Sequence, residues 1–150
     1  MRRTGGSPGQ VVVEMILILP VFLAIVFSIM EIGYVSFHVI VLNHATYEVA
    51  RIGSMTAGAG TPNSCPAPNN ATISGTMTQI LPKATVSCGA VATLKDPQAL
   101  QQNCDLQCTG KETVNLIFPI SSVMLSDKGN PGRKTLTASV AMPIERPLQQ

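Results

Sequence analysis

The chain is short, apolar and low in charge. It has 150 residues, of which 45% are hydrophobic and 12% charged, with a formal net charge of +2 at pH 7. Soluble domains carry about 25% charged residues, so this share is low. The small net charge excludes a basic nucleic-acid surface, and an aromatic content of 4% without tryptophan provides little material for a base-stacking platform.

The first residues predict a leader followed by a membrane span. Residues 1–9, MRRTGGSPG, are rich in glycine and contain Arg2 and Arg3. From Val11 to Met30 the chain is apolar apart from Glu14. About 20 residues of helix are roughly 30 Å long, which is the thickness of the hydrocarbon core of a lipid bilayer. We therefore predict a transmembrane helix at about residues 11–30.

The distribution of basic residues predicts the orientation of this span. Arg2 and Arg3 precede it, and the next basic residue is Arg51. Because basic residues concentrate on the cytoplasmic side, the N-terminus is expected in the cytoplasm and everything after about residue 31 outside it.

The helical pattern continues beyond the span, to about residue 55. Apolar residues recur at spacings of three and four, which is typical of one helix face. They are Ile32, Val35, Val39, Leu42, Ala45, Val49 and Ile52. One continuous helix over residues 10–55 would be about 70 Å long. Its second half, residues 31–55, would extend beyond the membrane into an aqueous compartment and needs a partner, either the chain's own C-terminal domain or other helices of the same kind.

The remaining sequence predicts a linker over residues 56–70 and a small β-rich domain over residues 71–150. Alternating patterns predict strands at residues 71–80, 84–88, 113–118 and 135–142, with a turn at 126–132. Residues 98–108 are a candidate short helix. The predicted fold class is α+β, with a long N-terminal helix followed by this domain.

Four cysteines follow the span, namely Cys65, Cys88, Cys104 and Cys108. An even number in the exported part of a small domain predicts two disulfides. Short loop closure favours Cys104 with Cys108 and Cys65 with Cys88, although four cysteines permit three pairings. Free thiols and a metal site are the alternatives, and the cysteine spacing does not favour zinc.

Glu14 lies inside the predicted span, where a carboxylate is costly and suggests a function. No cleavage motif follows the span within reach, but Gly9 and Gln10 precede it. Cleavage between these two residues would create an amine about one helical turn from Glu14. In a bundle of parallel helices, that carboxylate could pair with the new amine of a neighbour. Alternatively, Glu14 only reaches the polar boundary of the membrane.

These residues resemble type IV prepilins, and most closely the TadE-like minor pilins or pseudopilins of the tight-adherence (Tad, or Flp) pilus. The similar stretch, residues 9–55, is GQVVVEMILILPVFLAIVFSIMEIGYVSFHVIVLNHATYEVARIGSM. It contains Gly9 and Glu14, Pro20 in mid-span, Glu31 with Gly33, and a closing segment that ends at Ala50 and Arg51. Met15 departs from the usual phenylalanine or tyrosine after the glutamate.

The resemblance implies cleavage after Gly9 by a prepilin peptidase and incorporation into a pilus. The implied partners are other pilin and minor pilin subunits, the inner-membrane assembly platform and the lipid bilayer. The implied roles are pilus assembly, surface adherence and biofilm formation. No enzymatic activity, cofactor or metal is expected. The alternative is an uncleaved, signal-anchored periplasmic module that binds or adheres.

Two further features of the helix are candidates for function. Ser28, Glu31, Tyr34 and His38 form a polar strip at helical spacing, which marks either the outer membrane boundary or an interhelical contact. Pro20 removes one helical hydrogen bond and is expected to kink the span. That kink either assists packing and extraction or is simply tolerated, as prolines often are in membrane helices.

Overall fold

The first helix, α1, runs without a break over Pro8–Thr56 in the computed structural model. The structure describes residues 8–58, 64–96, 101–118, 122 and 124–144. The predicted long helix is therefore confirmed, and most of the leader, with Arg2 and Arg3, lies outside the described residues. The helix begins two positions earlier than predicted, because proline is tolerated in a first turn, where its missing N–H has no helical partner.

The chain forms two compact units. The first comprises Met1–Val35 together with Asn115–Lys134, and the second comprises Ser36–Val114 together with Thr135–Gln150. Residues 115–134, which the sequence pattern placed in the C-terminal domain, thus cluster with the first part of α1. Each unit is described separately below.

A second helix, α2, occupies Asn70–Ile80, where the alternating pattern predicted a strand. That prediction is wrong. Ile73 and Met77, four residues apart, share one helix face and are both buried. The side chain of Asn69 accepts a hydrogen bond from the Thr72 N–H and caps the helix. The apolar spacing of four and the capping residue therefore outweigh the alternation of threonine and serine.

Three antiparallel strands form one sheet in the order β1-β2-β3. They are β1 (Ala84–Asp96), β2 (Gln101–Asn115) and β3 (Arg133–Pro143). The predicted strands at 84–88 and 135–142 are confirmed within β1 and β3. The register of β1 and β2 places Cys88 opposite Cys108, and it shifts at a bulge between Ala92 and Leu94.

The strand β2 corrects two predictions. Its described part replaces the expected helix at 98–108, of which residues 98–100 lie outside the described residues. It ends at Asn115, so residues 116–118 of the expected strand 113–118 are not in the sheet. From Cys104 to Val114 every second residue is buried. This is the period of a strand with one covered face. The pattern is difficult to recognise because polar residues hold many of its positions.

The second half of α1 packs on the buried face of this sheet in the second unit. A Cβ added to Gly53 would lie 2.7 Å from Leu106 Cδ2 and 3.1 Å from Ile73 Cδ1, so the backbone of α1 approaches β2 and α2 closely. Its buried residues include Leu42, Ala45 and Val49 of the predicted stripe. Thr46 and Ala50 are also buried there. The partner of this half-helix is therefore the chain's own domain.

In the first unit, the predicted turn at 126–132 precedes β3. Gly129 and Gly132 have φ angles of +94° and +77°, a region that side chains disfavour and glycine adopts easily. Asp127 and Asn130 form an isolated antiparallel bridge across the turn. The Asp127 carboxylate pairs with Lys134 at 3.1 Å. The prediction of a turn here is confirmed.

Candidate functional site

The first half of α1 presents an almost continuous apolar surface. Between Val11 and Met30 the large exposed apolar side chains have exposed fractions of 38% to 70%. Within the described residues, α1 is the one helix long and apolar enough to cross a membrane. The helix continues through Pro20. Such a surface requires a partner outside this unit, because contiguous exposed apolar patches mark interaction sites.

The residues of the predicted processing site lie at the start of this surface. Gly9, Gln10 and Glu14 are all exposed on α1. Glu14 makes no hydrogen bond or ion pair with another residue that the structure describes. Positions 10 and 14 are four residues apart, about 6 Å along the axis. A Cβ at position 9 would meet no atom of the described residues within 4 Å, so packing among those residues does not require a glycine there.

Glu31 is the buried carboxylate of the first unit. Its side chain is completely buried, with an exposed fraction of 0%. Oε1 accepts a hydrogen bond from the Ile117 N–H at 2.9 Å, and Oε2 accepts one from the Phe118 N–H at 3.0 Å. A carboxylate that accepts two backbone hydrogen bonds has exchanged water for fixed donors. Glu31 therefore attaches residues 117–118 to α1.

An aromatic pair supports the same attachment. The rings of Phe27 and Phe118 are stacked, with centroids 4.8 Å apart and planes 12° from parallel. Phe27 lies one helical turn before Glu31, so both contacts hold one short segment against one face of α1. The sequence indicated that Glu31 was unusual but could not identify its partners. They are backbone N–H groups, which every residue except proline carries.

The other residues of the predicted polar strip have different environments. The Ser28 hydroxyl donates to the Ala24 carbonyl at 2.7 Å, along its own helix. Tyr34 is half-buried in the first unit. In the second unit, His38 Nδ1 lies 3.3 Å from both carboxylate oxygens of Glu112, a residue that is only 4% exposed. This pair is ionic when His38 is protonated, and it joins α1 to β2.

Both disulfides lie in the second unit, and their pairing corrects the preferred one. Cys65 pairs with Cys104 and Cys88 with Cys108. The preference for short loops was wrong because the register of the sheet places Cys88 directly opposite Cys108. The first disulfide attaches the segment before α2 to β2. The expectation that all four cysteines form disulfides is confirmed.

The acidic, histidine and cysteine side chains of the described residues do not cluster into a metal site. No group of three or more histidine, cysteine, aspartate or glutamate side chains is close enough there to hold a metal ion. Two features remain. The first is the exposed apolar half of α1 with Glu14 near its start, and the second is the segment 117–118, which Glu31 attaches just after the apolar stretch ends. These features are suited to contacts with lipid or other subunits.

Comparison with known families gives one match. The family model of TadE-like proteins matches residues 9–51, which begin at the predicted processing site. The resemblance drawn from the sequence is confirmed over this segment, which covers the first half of α1 and most of the second. No curated protein and no solved structure matches the chain.

Proposed function

We propose that this chain is a minor pilin or pseudopilin of a Tad-type (Flp) type IV pilus, a structural subunit without enzymatic activity. The observation that carries the proposal is the TadE-like match, which starts at Gly9 and includes Glu14. Further support comes from the exposed apolar surface of α1 after these residues. In this proposal the chain is organised as a leader (1–9), a long helix (10–55), a linker (56–70) and an exported domain (71–150).

The proposed life cycle begins with an anchored precursor. The N-terminus lies in the cytoplasm, α1 crosses the inner membrane at about residues 11–30, and the C-terminal part lies in the periplasm. A prepilin peptidase then cuts between Gly9 and Gln10. Arg2 and Arg3, which hold the leader on the cytoplasmic side, leave with it.

The cut supplies the group that Glu14 needs. The new α-amino group of Gln10 is positive, and Glu14 is the one carboxylate in the apolar stretch 11–30. An unpaired charge in lipid is costly, whereas the Glu14 carboxylate of one subunit and the amine of a neighbour offset each other. This pairing would set the axial stagger of packed helices. The assembly platform and other pilins are the proposed partners, and surface adherence and biofilm formation are the proposed outcomes.

The mature N-terminus tests the proposal most directly. Full-length protein is purified from membranes of its native cells, and its first residue is determined by intact-mass and peptide analysis. The proposal predicts Gln10. A protein that retains Met1 and never accompanies a surface fibre would instead be the uncleaved periplasmic anchor.

A matched pair of glycine variants shows whether Gly9 directs this cut. Gly9→Leu is expected to abolish processing, because the peptidase requires a small residue before the cut. Gly75→Leu is the control, since Gly75 also lies on a helix with nothing within 4 Å of an added Cβ. The control should be processed normally. Normal processing of Gly9→Leu would contradict the assignment.

A further inference from the structure

The segment after β2 contains exposed apolar side chains beside the end of the predicted span. Ile117 is 64% exposed and Met124 is 85% exposed. Leu116 and Phe118 are half-buried. We call these four residues, Leu116, Ile117, Phe118 and Met124, the apolar arm.

Two contacts within the first unit fix the level of the arm along α1. Phe118 stacks on Phe27, which belongs to the apolar stretch 11–30. Glu31, the first residue after that stretch, binds the N–H groups of Ile117 and Phe118. Ile117 and Phe118 of the arm therefore lie beside the last turn of the predicted span, about 5 Å of helix axis.

The backbone of the arm is suited to a site without water. Three consecutive N–H groups are satisfied within the unit. Leu116 donates to the Gly132 carbonyl at 2.8 Å, and Ile117 and Phe118 donate to Glu31. The Phe118 carbonyl accepts from the Ser122 N–H at 2.9 Å. Non-helical backbone at membrane depth is tolerated only where its polar groups are satisfied in this way.

Charged residues begin three positions after the arm, with Asp127, whose carboxylate pairs with Lys134. Exposed Lys128 and Arg133 lie in and beside the turn that leads into β3. A short apolar stretch followed by basic side chains is the pattern of a segment in the boundary between headgroups and acyl chains. In such a boundary, long lysine and arginine side chains can extend their charged groups to the lipid phosphates.

We infer that the apolar arm is a second lipid-contacting element, inserted in the membrane boundary where α1 leaves the bilayer, with Glu31 as the residue that positions it. The occupant of this exposed face is lipid because the face is continuous, through Phe27, with the apolar surface of the span. This inference rests on the membrane insertion of α1 in the proposed function. The proposed site lies outside the region that matches the family model, because the arm residues come after residue 51.

Tryptophan scanning tests this inference cleanly because the chain has no tryptophan. Full-length Ile117→Trp and Met124→Trp are reconstituted in phospholipid vesicles that carry bromine at shallow or deep acyl positions. Both variants should show blue-shifted emission and strongest quenching by shallow bromines. Ile18→Trp, at a mid-span position, is the positive control and should respond most to deep bromines.

A matched control lies in the second unit. Val91 is an apolar residue of β1 with an exposed fraction of 48%. The inference assigns lipid contact to the first unit only, so Val91→Trp should be quenched by aqueous acrylamide and not by bromines. If Ile18→Trp responds to bromines and both arm variants respond only to acrylamide, the inference fails and membrane insertion stands. If Ile18→Trp does not respond either, both fail.

Two further results decide between lipid and another occupant. Protection of the arm variants from both bromines and acrylamide would show that a second copy of the chain covers the arm, and this would overturn the inference. In the Ile117→Trp background, Glu31→Ala should remove most of the bromine quenching, because two N–H groups lose their acceptors. Glu48→Ala, a half-buried glutamate of the same helix in the second unit, should leave the quenching unchanged. Equal quenching in both would overturn the role of Glu31.

Discussion

The two halves of α1 consist of similar residues but use them differently. In the first half, the large side chains between Val11 and Met30 are mostly exposed. In the second half, Leu42, Ala45 and Val49 are buried against the sheet and α2. A continuous helix therefore changes its role along its length, from a surface that requires an external partner to one whose partner is in the same chain.

The difference depends on the size of the side chains as well as on hydrophobicity. The second half contains Ala45, Ala50 and Gly53, which allow the sheet to approach the helix backbone. The first half contains valine, leucine, isoleucine and phenylalanine with few small residues. We therefore expect substitutions in the first half to affect assembly, and substitutions in the second half to affect folding.

The largest expected effect concerns the first half. Glu14→Ala should be cleaved normally but should reduce the yield of sheared surface pili by about tenfold or more, because the new amine then has no partner in lipid. Hydrogen exchange in the second unit should not change. Glu48→Ala, a half-buried glutamate of the second half, is the control and should assemble normally. Undiminished pili in Glu14→Ala cells would contradict the pairing.

The disulfides provide the largest expected effect on folding. Replacing both cysteines of either pair with alanine should destabilise the second unit by about 3 kcal/mol, since the unfolded chain gains freedom. Hydrogen exchange of β2 peptides, measured by mass spectrometry in detergent, reports this loss.

Exchange over residues 11–30 serves as the internal control for the disulfide variants and should remain as in the parent chain. Peptide mapping without reductant should recover Cys65 linked to Cys104 and Cys88 linked to Cys108. Free thiols in protein from the periplasmic side would contradict the disulfides.

The sequence predicted the parts of the fold that depend on local pattern. The long helix, the strand over 135–142 and the turn at 126–132 each follow from hydrophobic period or turn residues close together in the chain. The errors, at α2 and β2, concern short polar segments. At α2 two local patterns compete, and the apolar spacing of four with the Asn69 cap prevails. At β2 the choice between helix and strand depends on distant contacts, such as the pairing of Cys88 with Cys108.

The candidate site was also only partly predictable. Gly9 and Glu14 stand out because a glycine and a charge border or enter an apolar stretch. Glu31 stands out for the same reason, but its partners are backbone groups at Ile117 and Phe118. The position of Ile117 and Phe118 beside α1 depends on where β2 ends and β3 begins, which no local pattern specifies. Glu112, the partner of His38, was missed for a similar reason.

A glycine in the sheet provides a sharper test of the close packing on the second half. A Cβ added to Gly110 would overlap Thr46 Oγ1 and lie 3.2 Å from Met77 Cε. The Thr46 hydroxyl is buried and donates to the Leu42 carbonyl at 2.7 Å, so its displacement would strain that bond. Gly110→Ala should therefore destabilise the second unit by about 1–3 kcal/mol.

The control for this variant is a second glycine of the same sheet. Gly89 lies in β1, and an added Cβ would meet nothing within 4 Å. Gly89→Ala should leave hydrogen exchange in β2 unchanged or slightly slower, because alanine restricts the unfolded chain more than glycine does. Equal destabilisation by both variants would indicate a general sensitivity of the sheet rather than contact with α1.

The smallest expected effect compares two glycines of α1, Gly33 in the first unit and Gly53 in the second. Gly33→Ala should slow hydrogen exchange around position 33 and raise the opening free energy there by about 0.5–1 kcal/mol. Alanine favours helix, and the added Cβ meets nothing within 4 Å. Gly53→Ala gains the same propensity, but its Cβ would lie 2.7 Å from the buried Leu106 side chain, so a net destabilisation of about 1 kcal/mol is expected. Peptide-level exchange in detergent measures both. If the two changes in free energy have opposite signs, the cause lies in the surroundings, since intrinsic helix propensity is common to both sites. Equal signs would show that the sheet yields to an added methyl group and that α1 is packed no more tightly around Gly53 than around Gly33.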